Sequence, residues 1–171
     1  LNNDCDLMKH LYKVDDTIKN ISYHHGHYQE IARTLEELNN SREVTNKYPL
    51  IALFEDIEYD VRNGIHTPIV NLVICYRTKA TYRAKDRYKE VIEPIIVPIY
   101  EKLLSYLKIC GYFNTYEFDH RMITRPYYGV EIPQGGATKT NRANIFSDNV
   151  DSIEVRSLRL PLYNNNCSPI Y

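Results

Sequence analysis

The sequence has 171 residues, enough for one domain with a substantial hydrophobic core and too few for two full domains. Its 21 Lys and Arg residues nearly balance its 22 Asp and Glu residues, so the net charge of -1 excludes a protein that attracts nucleic acid over its whole surface. No apolar run approaches the ~20 residues of a membrane helix, and the opening LNNDCDLMKH lacks the apolar stretch of a signal peptide. We therefore expect a soluble chain that is made in the cytosol and has no membrane contact.

Cysteine and histidine residues do not form a recognisable catalytic or metal-binding motif. The four cysteines are Cys5, Cys75, Cys110 and Cys167. Because no two of them are closely spaced, we expect reduced thiols rather than disulfides or metal ligands. The histidines of the 24–27 run could chelate zinc, but no Cys or carboxylate at ligand spacing accompanies them, so a solvated turn between helices is favoured. The sequence predicts a protein that is not an enzyme and that binds no metal or other cofactor.

Acidic residues cluster in the first predicted strand and at its end. They are Glu55, Asp56, Glu58 and Asp60. Carboxylates at strand ends can hold the magnesium ion of a nuclease, but adjacent Glu55 and Asp56 would point to opposite faces of a regular strand. An exposed acidic hairpin end is therefore favoured over a metal site.

Two helices are predicted near the N-terminal end of the sequence. Apolar residues recur at helical spacing in the first, at Leu7, Leu11, Val14 and Ile18. The stretch ISYHHGH around Gly26 interrupts the pattern, and HYQEIARTLEELNNS then predicts the second helix.

Strand periodicity begins at Pro49. PLIALFEDIEY predicts a first strand, and PIVNLVICYRTKA, which is apolar on both parities over 69–76, predicts a central strand covered on both faces. Because Asn63-Gly64 is a favoured hairpin turn, we predict that these two strands pair antiparallel.

A long helix is predicted over 84–110, with Gly111 as its stop signal. Pro94 and Pro98 inside it predict either a kink or two helices that meet near Pro94. Its apolar stripe should pack on the sheet against residues such as Leu53, Val73 and Val155. The stripe consists of Ile92, Ile95, Ile99, Leu103 and Leu107.

Two more strands complete the predicted sheet. YEFDHRMITR alternates apolar and polar residues, and DSIEVRSLRLPLY predicts the last strand. The alternation slips at Ser157, which predicts a β-bulge there. The polar, turn-rich stretch 129–149 separates these strands, and loops of this length are usually functional or disordered.

Together these elements predict an α+β fold: a mostly antiparallel sheet of about four strands, with a long helix packed on one face and an N-terminal helical segment. The predicted organisation is a helical extension over 1–26, a single domain over 27–163 that includes the 129–149 loop, and a flexible tail over 164–171.

Two segments are the main candidates for contact with a partner. Cations and tyrosines alternate between 77 and 89, a pattern that fits a solvated helix face, a surface for an acidic partner, or a nucleic-acid surface. The apolar residues of the 129–149 loop either dock on a neighbouring subunit or pack on their own sheet. The candidate interface residues are Arg77, Lys79, Arg83, Lys85, Arg87, Ile132, Lys139, Arg142, Ile145 and Phe146.

The element order and several segments resemble the small neck proteins of tailed bacteriophages. The segments are the strands YPLIALFE and VNLVICYR, the helix AKDRYKEVIEPIIVPIYEKLLSYL and the closing strand DSIEVRSLRLPLY. They are similar to tail-terminator, tail-completion and head-to-tail connector ring proteins, including prophage-encoded ones of Bacteroidetes type. The resemblance covers about residues 27–163 and rests on layout rather than on a motif. The long N-terminal segment and the proline pair depart from the group's general features, which leaves open which ring is meant.

The resemblance implies a structural virion protein of the phage neck, which joins the portal of the head to the tail or terminates the tail. The implied partners are copies of the same chain in a six- or twelve-fold ring, neighbouring portal, connector or tail proteins, and DNA that passes through the lumen. The implied location is the virion, with host cytoplasm as the site of assembly. Two alternatives remain open: a metal-dependent hydrolase or nuclease, and a small nucleic-acid-binding module that uses the basic 77–89 stretch.

Overall fold

The computed structural model describes residues 21–40, 47–62, 65–114, 118–128 and 148–162. The strands are β1 (Ser22–Gly26), β2 (Leu50–Phe54), β3 (Glu58–Arg62), β4 (Ile65–Arg77), β5 (Arg121–Arg125) and β6 (Val150–Arg159). Helix α1 (Tyr28–Asn40) follows β1, and a long helix lies between β4 and β5. The long helix consists of α2 (Ala84–Arg87), a π-helical segment (Tyr88–Ile96) and α3 (Val97–Ile109). The predicted N-terminal helix over 1–21 lies outside the described residues except for its last residue. The predicted tail over 164–171 lies wholly outside them.

The strands form one six-stranded mixed sheet in the order β1-β2-β4-β6-β5, with β3 also paired to β4. Strands β1 and β2 are parallel, and every other pair is antiparallel. The prediction of about four mostly antiparallel strands was therefore wrong, although the architecture is α+β. One extra strand is β1, and the other arises because the predicted first strand is divided into β2 and β3.

Strand β1 occupies the stretch that the sequence analysis interprets as a solvated turn. Its five residues pair in register with β2, from Ser22 opposite Leu50 to Gly26 opposite Phe54. The side chains alternate between half-buried and exposed along Ser22, Tyr23 and His24, as in a half-covered edge strand. Polar residues carry this alternation, so a search for apolar periodicity does not find it.

A tight turn separates β2 from β3. The Ile57 amide donates a hydrogen bond to the Glu55 carbonyl at 2.8 Å, which bends the chain between the two strands. Both strands then pair with β4, and Arg62 lies opposite Ile65 across the Asn63-Gly64 connection. The predicted antiparallel pairing around Asn63-Gly64 is confirmed.

The predicted β-bulge at Ser157 is also confirmed. The register of β4 and β6 shifts between Val70 and Leu72, and Ser157 has a φ of 54°. The amide of Ser157 donates a hydrogen bond to Oδ1 of Asn71 at 2.9 Å, so a side chain satisfies the backbone group that the bulge removes from the ladder.

The long helix packs on one face of the sheet. Ile92, Ile99 and Leu103 are buried against strand residues that include Val155, as predicted. The other members of the predicted set, Ile95, Leu107 and Leu53, are partly buried in the same core. The helix accommodates Pro94 within its π-helical segment, since the wider turn suits a residue without an N–H group. Gly111, with a φ of 77°, follows the helix as the predicted stop.

Helix α1 covers the opposite face. Ile31 and Leu35 are buried there against strand residues that include Val73 and Cys75. The prediction that Val73 faces the long helix was wrong, because β4 is covered on both sides and successive residues of a strand point to opposite faces. Among the described residues, no helix combines the length and the apolar character required to span a bilayer.

Candidate subunit interface

One end of the sheet carries a group of exposed cations, which we call the basic end. They are Arg77, Lys79, Arg83, Lys85 and Lys89. Strand β4 ends at Arg77, opposite Val150 at the start of β6, and the chain then turns into α2. Asp86 is the one acidic residue between 77 and 89, Glu90 follows directly, and the Asp86 carboxylate accepts a hydrogen bond from the Arg83 amide at 3.2 Å. The basic end therefore presents an excess of positive charge to solvent.

Arg87 is not part of this exposed surface, although the sequence analysis places it with the candidate interface residues. Its side chain is only 2% exposed, and Nη1 lies 2.6 Å from Oδ1 of Asp151. Nε donates to the Tyr82 carbonyl and Nη2 donates to the Lys79 carbonyl, each at 3.1 Å. Arg87 is therefore an interior residue that fixes the loop between β4 and α2.

The same ion pair positions a second loop. The Tyr127 ring lies 3.4 Å from the guanidinium carbon of Arg87, and the Tyr127 amide donates to Asp151 Oδ1 at 3.0 Å. Tyr127 has a φ of 53°, a conformation that costs free energy for a non-glycine residue and that these contacts hold in place. Nothing local in the sequence identifies this network, because Asp151 is 64 residues away from Arg87.

The described residues on both sides of the 129–147 stretch lie at the basic end. The Thr78 amide donates to the Asn149 carbonyl, and the Tyr128 amide donates to the Val150 carbonyl, both at 2.8 Å. The predicted interface residues of that stretch, namely Ile132, Lys139, Arg142, Ile145 and Phe146, lie outside the described residues. The structure thus places the residues that flank this stretch beside the exposed cations of the basic end.

Three exposed carboxylates lie at the junction of β2 and β3, and we call them the acidic junction. They are Glu55, Asp56 and Glu58. No ion pair joins any of them to another described residue, whereas Asp60 pairs with Arg62 and Arg159. Glu55 and Asp56 lie between the two strands and Glu58 begins β3, so these carboxylates lie at a junction of strands rather than at the predicted hairpin end.

A cavity of about 290 Å³ adjoins the acidic junction on the α1 face of the sheet. Phe54 and Tyr128 contribute aromatic walls, and Asp56 contributes an exposed carboxylate. Glu154 also lines the cavity, but its carboxylate pairs with Arg125 and Arg156, each at 2.8 Å. Burial raises the pKa of the Tyr128 hydroxyl. An aromatic wall beside a carboxylate suits a cationic side chain.

The histidines of the 24–27 run do not converge on one point. His24 and His25 are successive residues of β1 and so lie on opposite faces of the sheet. Burial lowers the pKa of His24. In the part of the chain that the structure describes, no group of three or more His, Cys, Asp or Glu residues is placed to hold a metal ion.

Comparisons of the chain with protein-family models, with curated proteins and with solved structures find no match.

Proposed function

We propose that the protein is a structural component of the bacteriophage neck, where copies of the chain form a ring that joins the head to the tail or terminates the tail. The sequence resemblance motivates this function. The protein would be present in the finished virion after assembly in the host cytoplasm, with portal, connector or tail proteins as its neighbours.

The observation that supports the proposal is the group of exposed cations at one end of the sheet. The described residues that flank the 129–147 stretch lie at the same end. Charges that have no ion-pair partner among the described residues favour association with a surface of opposite sign and guide its orientation. A ring component needs such a surface, because each head-to-tail contact joins two different patches of neighbouring subunits.

A genetic experiment in the phage that encodes the chain tests the function. Loss of the gene should leave unjoined heads and tails, or tails of abnormal length, in electron micrographs of the lysate. Mass spectrometry should detect the chain in purified wild-type particles. Particles that form and infect normally without the gene would overturn the proposal.

Complementation shows whether the basic end matters for that role. A gene copy with Arg83→Glu and Lys85→Glu should fail to restore joined particles. Lys108→Glu is the matched control, because Lys108 is also an exposed cation but lies near the other end of the long helix. The control copy should restore them.

A nucleic-acid-binding module is the second candidate function. It is favoured by the 54% exposure of Tyr88, which lies between the exposed cations Lys85 and Lys89. Phosphate contacts by these cations would make duplex binding strongly salt-dependent. Fluorescence anisotropy with labelled duplex DNA tests this: Lys85→Glu/Lys89→Glu should weaken binding and flatten its salt dependence, whereas binding equal to wild type would exclude these contacts.

A further inference from the structure

Two groups of exposed charges, the cations of the basic end and the carboxylates of the acidic junction, lie at separate places on this subunit. Most charged residues of β3, β5 and β6 are paired, as Asp60 is with Arg159 and Glu154 is with Arg125. In contrast, no ion pair joins a residue of the basic end or of the acidic junction to another described residue. The structure therefore leaves two surfaces of opposite sign in solvent.

These two surfaces are too far apart to neutralise each other within one subunit. Glu58 lies opposite Ile69 of β4, and the basic end begins at Arg77 of the same strand. The intervening eight residue steps span about 26 Å at the usual rise of an extended strand. Salt screens exposed charges over about 8–10 Å, so the two surfaces interact only if they belong to different molecules.

The acidic junction also has a shape that suits a basic side chain. The adjoining cavity of about 290 Å³ has Phe54 and Tyr128 in its walls. Arg156 and Glu154 also line it and pair with each other, so Asp56 is the lining carboxylate without an ion pair among the described residues. A lysine or arginine side chain that enters it would place its apolar stem against the rings and its charge beside the carboxylate. The basic end carries such side chains on the α2 turn, at Arg83 and Lys85.

We propose that the basic end of one copy docks on the acidic junction and the adjoining cavity of the next copy. This contact rests on the proposed ring assembly and specifies which surfaces of neighbouring subunits meet. Because the two surfaces differ, the contact is heterologous and leaves one free surface of each kind on every dimer. Such a contact propagates head to tail until the ring closes.

Two charge-reversed variants test the contact. Variant one, Arg83→Glu/Lys85→Glu, reverses the two cations on the α2 turn of the basic end and keeps the acidic junction. Variant two, Asp56→Lys/Glu58→Lys, loses the acidic junction and keeps the basic end. Sedimentation velocity at low ionic strength, over a concentration series, should show self-association of the wild-type chain. Each variant alone should associate at least about tenfold more weakly, because like charges would face each other.

Mixing the variants distinguishes this contact from a general effect of charge. In an equimolar mixture, the unchanged acidic junction of variant one can still bind the unchanged basic end of variant two. The mixture should therefore form heterodimers, and these should not grow into larger assemblies because their free surfaces are the substituted ones. A chain that carries all four reversals should regain self-association, since the substituted residues of the two surfaces again carry opposite charges. The control Glu93→Lys/Lys108→Glu reverses two exposed charges of the long helix and should associate as wild type does. Circular dichroism should show that every variant is folded.

Several results would overturn the contact: a wild-type chain that remains monomeric throughout, a single variant that associates as strongly as wild type, or a mixture with no heterodimer. These outcomes are separable from failure of the neck function. If purified particles contain the chain but the reversals leave association unchanged, the contact is wrong and the neck function stands. If the reversals behave as expected but the particles lack the chain, the contact stands and the neck function is wrong.

Discussion

The Arg87 guanidinium and the Asp151 carboxylate form a buried ion pair, with 2.6 Å between Nη1 and Oδ1 and side-chain exposures of 2% and 0%. The pair joins the first turn of the long helix to the second residue of β6. The carbonyl groups of Tyr82 and Lys79 accept hydrogen bonds from Nε and Nη2, so the charge is compensated by hydrogen bonds as well as by the carboxylate. The backbone of the basic end is therefore held by an interior network of hydrogen bonds and an ion pair, in which the side chains of its exposed cations take no part.

Removing one partner of this pair should destabilise the fold strongly. Asp151→Asn leaves the Arg87 charge buried without its counter-ion. Arg87→Met likewise leaves the Asp151 carboxylate buried without its counter-ion. Each should lower the free energy of unfolding by about 3–5 kcal/mol, measured in urea. The double variant should lose less than the sum of the two losses, because the second substitution removes the charge that the first left uncompensated.

The exposed pair Arg33–Glu37 is the control, with side-chain exposures of 75% and 70%. Arg33→Ala should change the free energy of unfolding by no more than about 0.5 kcal/mol through the lost pair. If the two single variants at Arg87 and Asp151 have equally small effects, the buried pair does not stabilise the fold in the way described.

Packing of the long helix is tested at Ile99, which is 0% exposed. Ile99→Ala removes buried methyl groups and leaves a cavity, and it should cost about 2–5 kcal/mol of unfolding free energy. The control Ile109→Ala makes a similar change at a residue that is 76% exposed and should stay within about 0.5 kcal/mol of wild type. Equal losses at the two positions would contradict the placement of the helix.

The Asp60 carboxylate should titrate at lower pH than an ordinary aspartate. The hydrogen bond from Arg159 lowers its pKa most, and a hydrogen bond from Arg62 adds to this. Because the folded pKa lies below the unfolded value of about 3.9, the stabilisation is present above that pH and is lost as the pH falls through the folded pKa.

An NMR titration of the Asp60 side chain measures this shift. The Asp60 pKa should rise in Arg159→Gln and should rise less in Arg62→Gln, because Arg159 makes the larger contribution. A larger rise of the Asp60 pKa in Arg62→Gln than in Arg159→Gln would show that Arg62, rather than Arg159, makes the larger contribution.

The two described cysteines should differ sharply in reactivity. Cys75 is buried in the α1 core, and burial raises the pKa of its thiol, whereas Cys110 is only half-buried. In a chain with Cys5→Ser and Cys167→Ser, a thiol reagent should modify Cys110 in the native state and Cys75 only when the protein unfolds. Adding Cys110→Ser should abolish the fast phase, and a fast phase that persists would show that Cys75 is accessible.

Local patterns in the sequence determine several features of this fold. The apolar stripe of the long helix, the antiparallel pairing of the strands on either side of 63–64 and the β-bulge at Ser157 each depend on residues close together in the chain, so periodicity and turn chemistry reveal them. The cations of the basic end could also be found in this way, since five of the six cationic side chains over 77–89 are exposed, as in a solvated charge run.

Other features depend on which distant segments meet, and only the tertiary structure decides them. Strand β1 is defined by its pairing with β2, since its polar residues carry no apolar alternation of their own. Val73 faces α1 because a helix covers each side of β4. Arg87 resembles its exposed basic neighbours in sequence, yet it is buried because Asp151, far along the chain, compensates its charge. A charge can be buried where the fold supplies a partner for it, and the residues next to it in the sequence do not identify that partner.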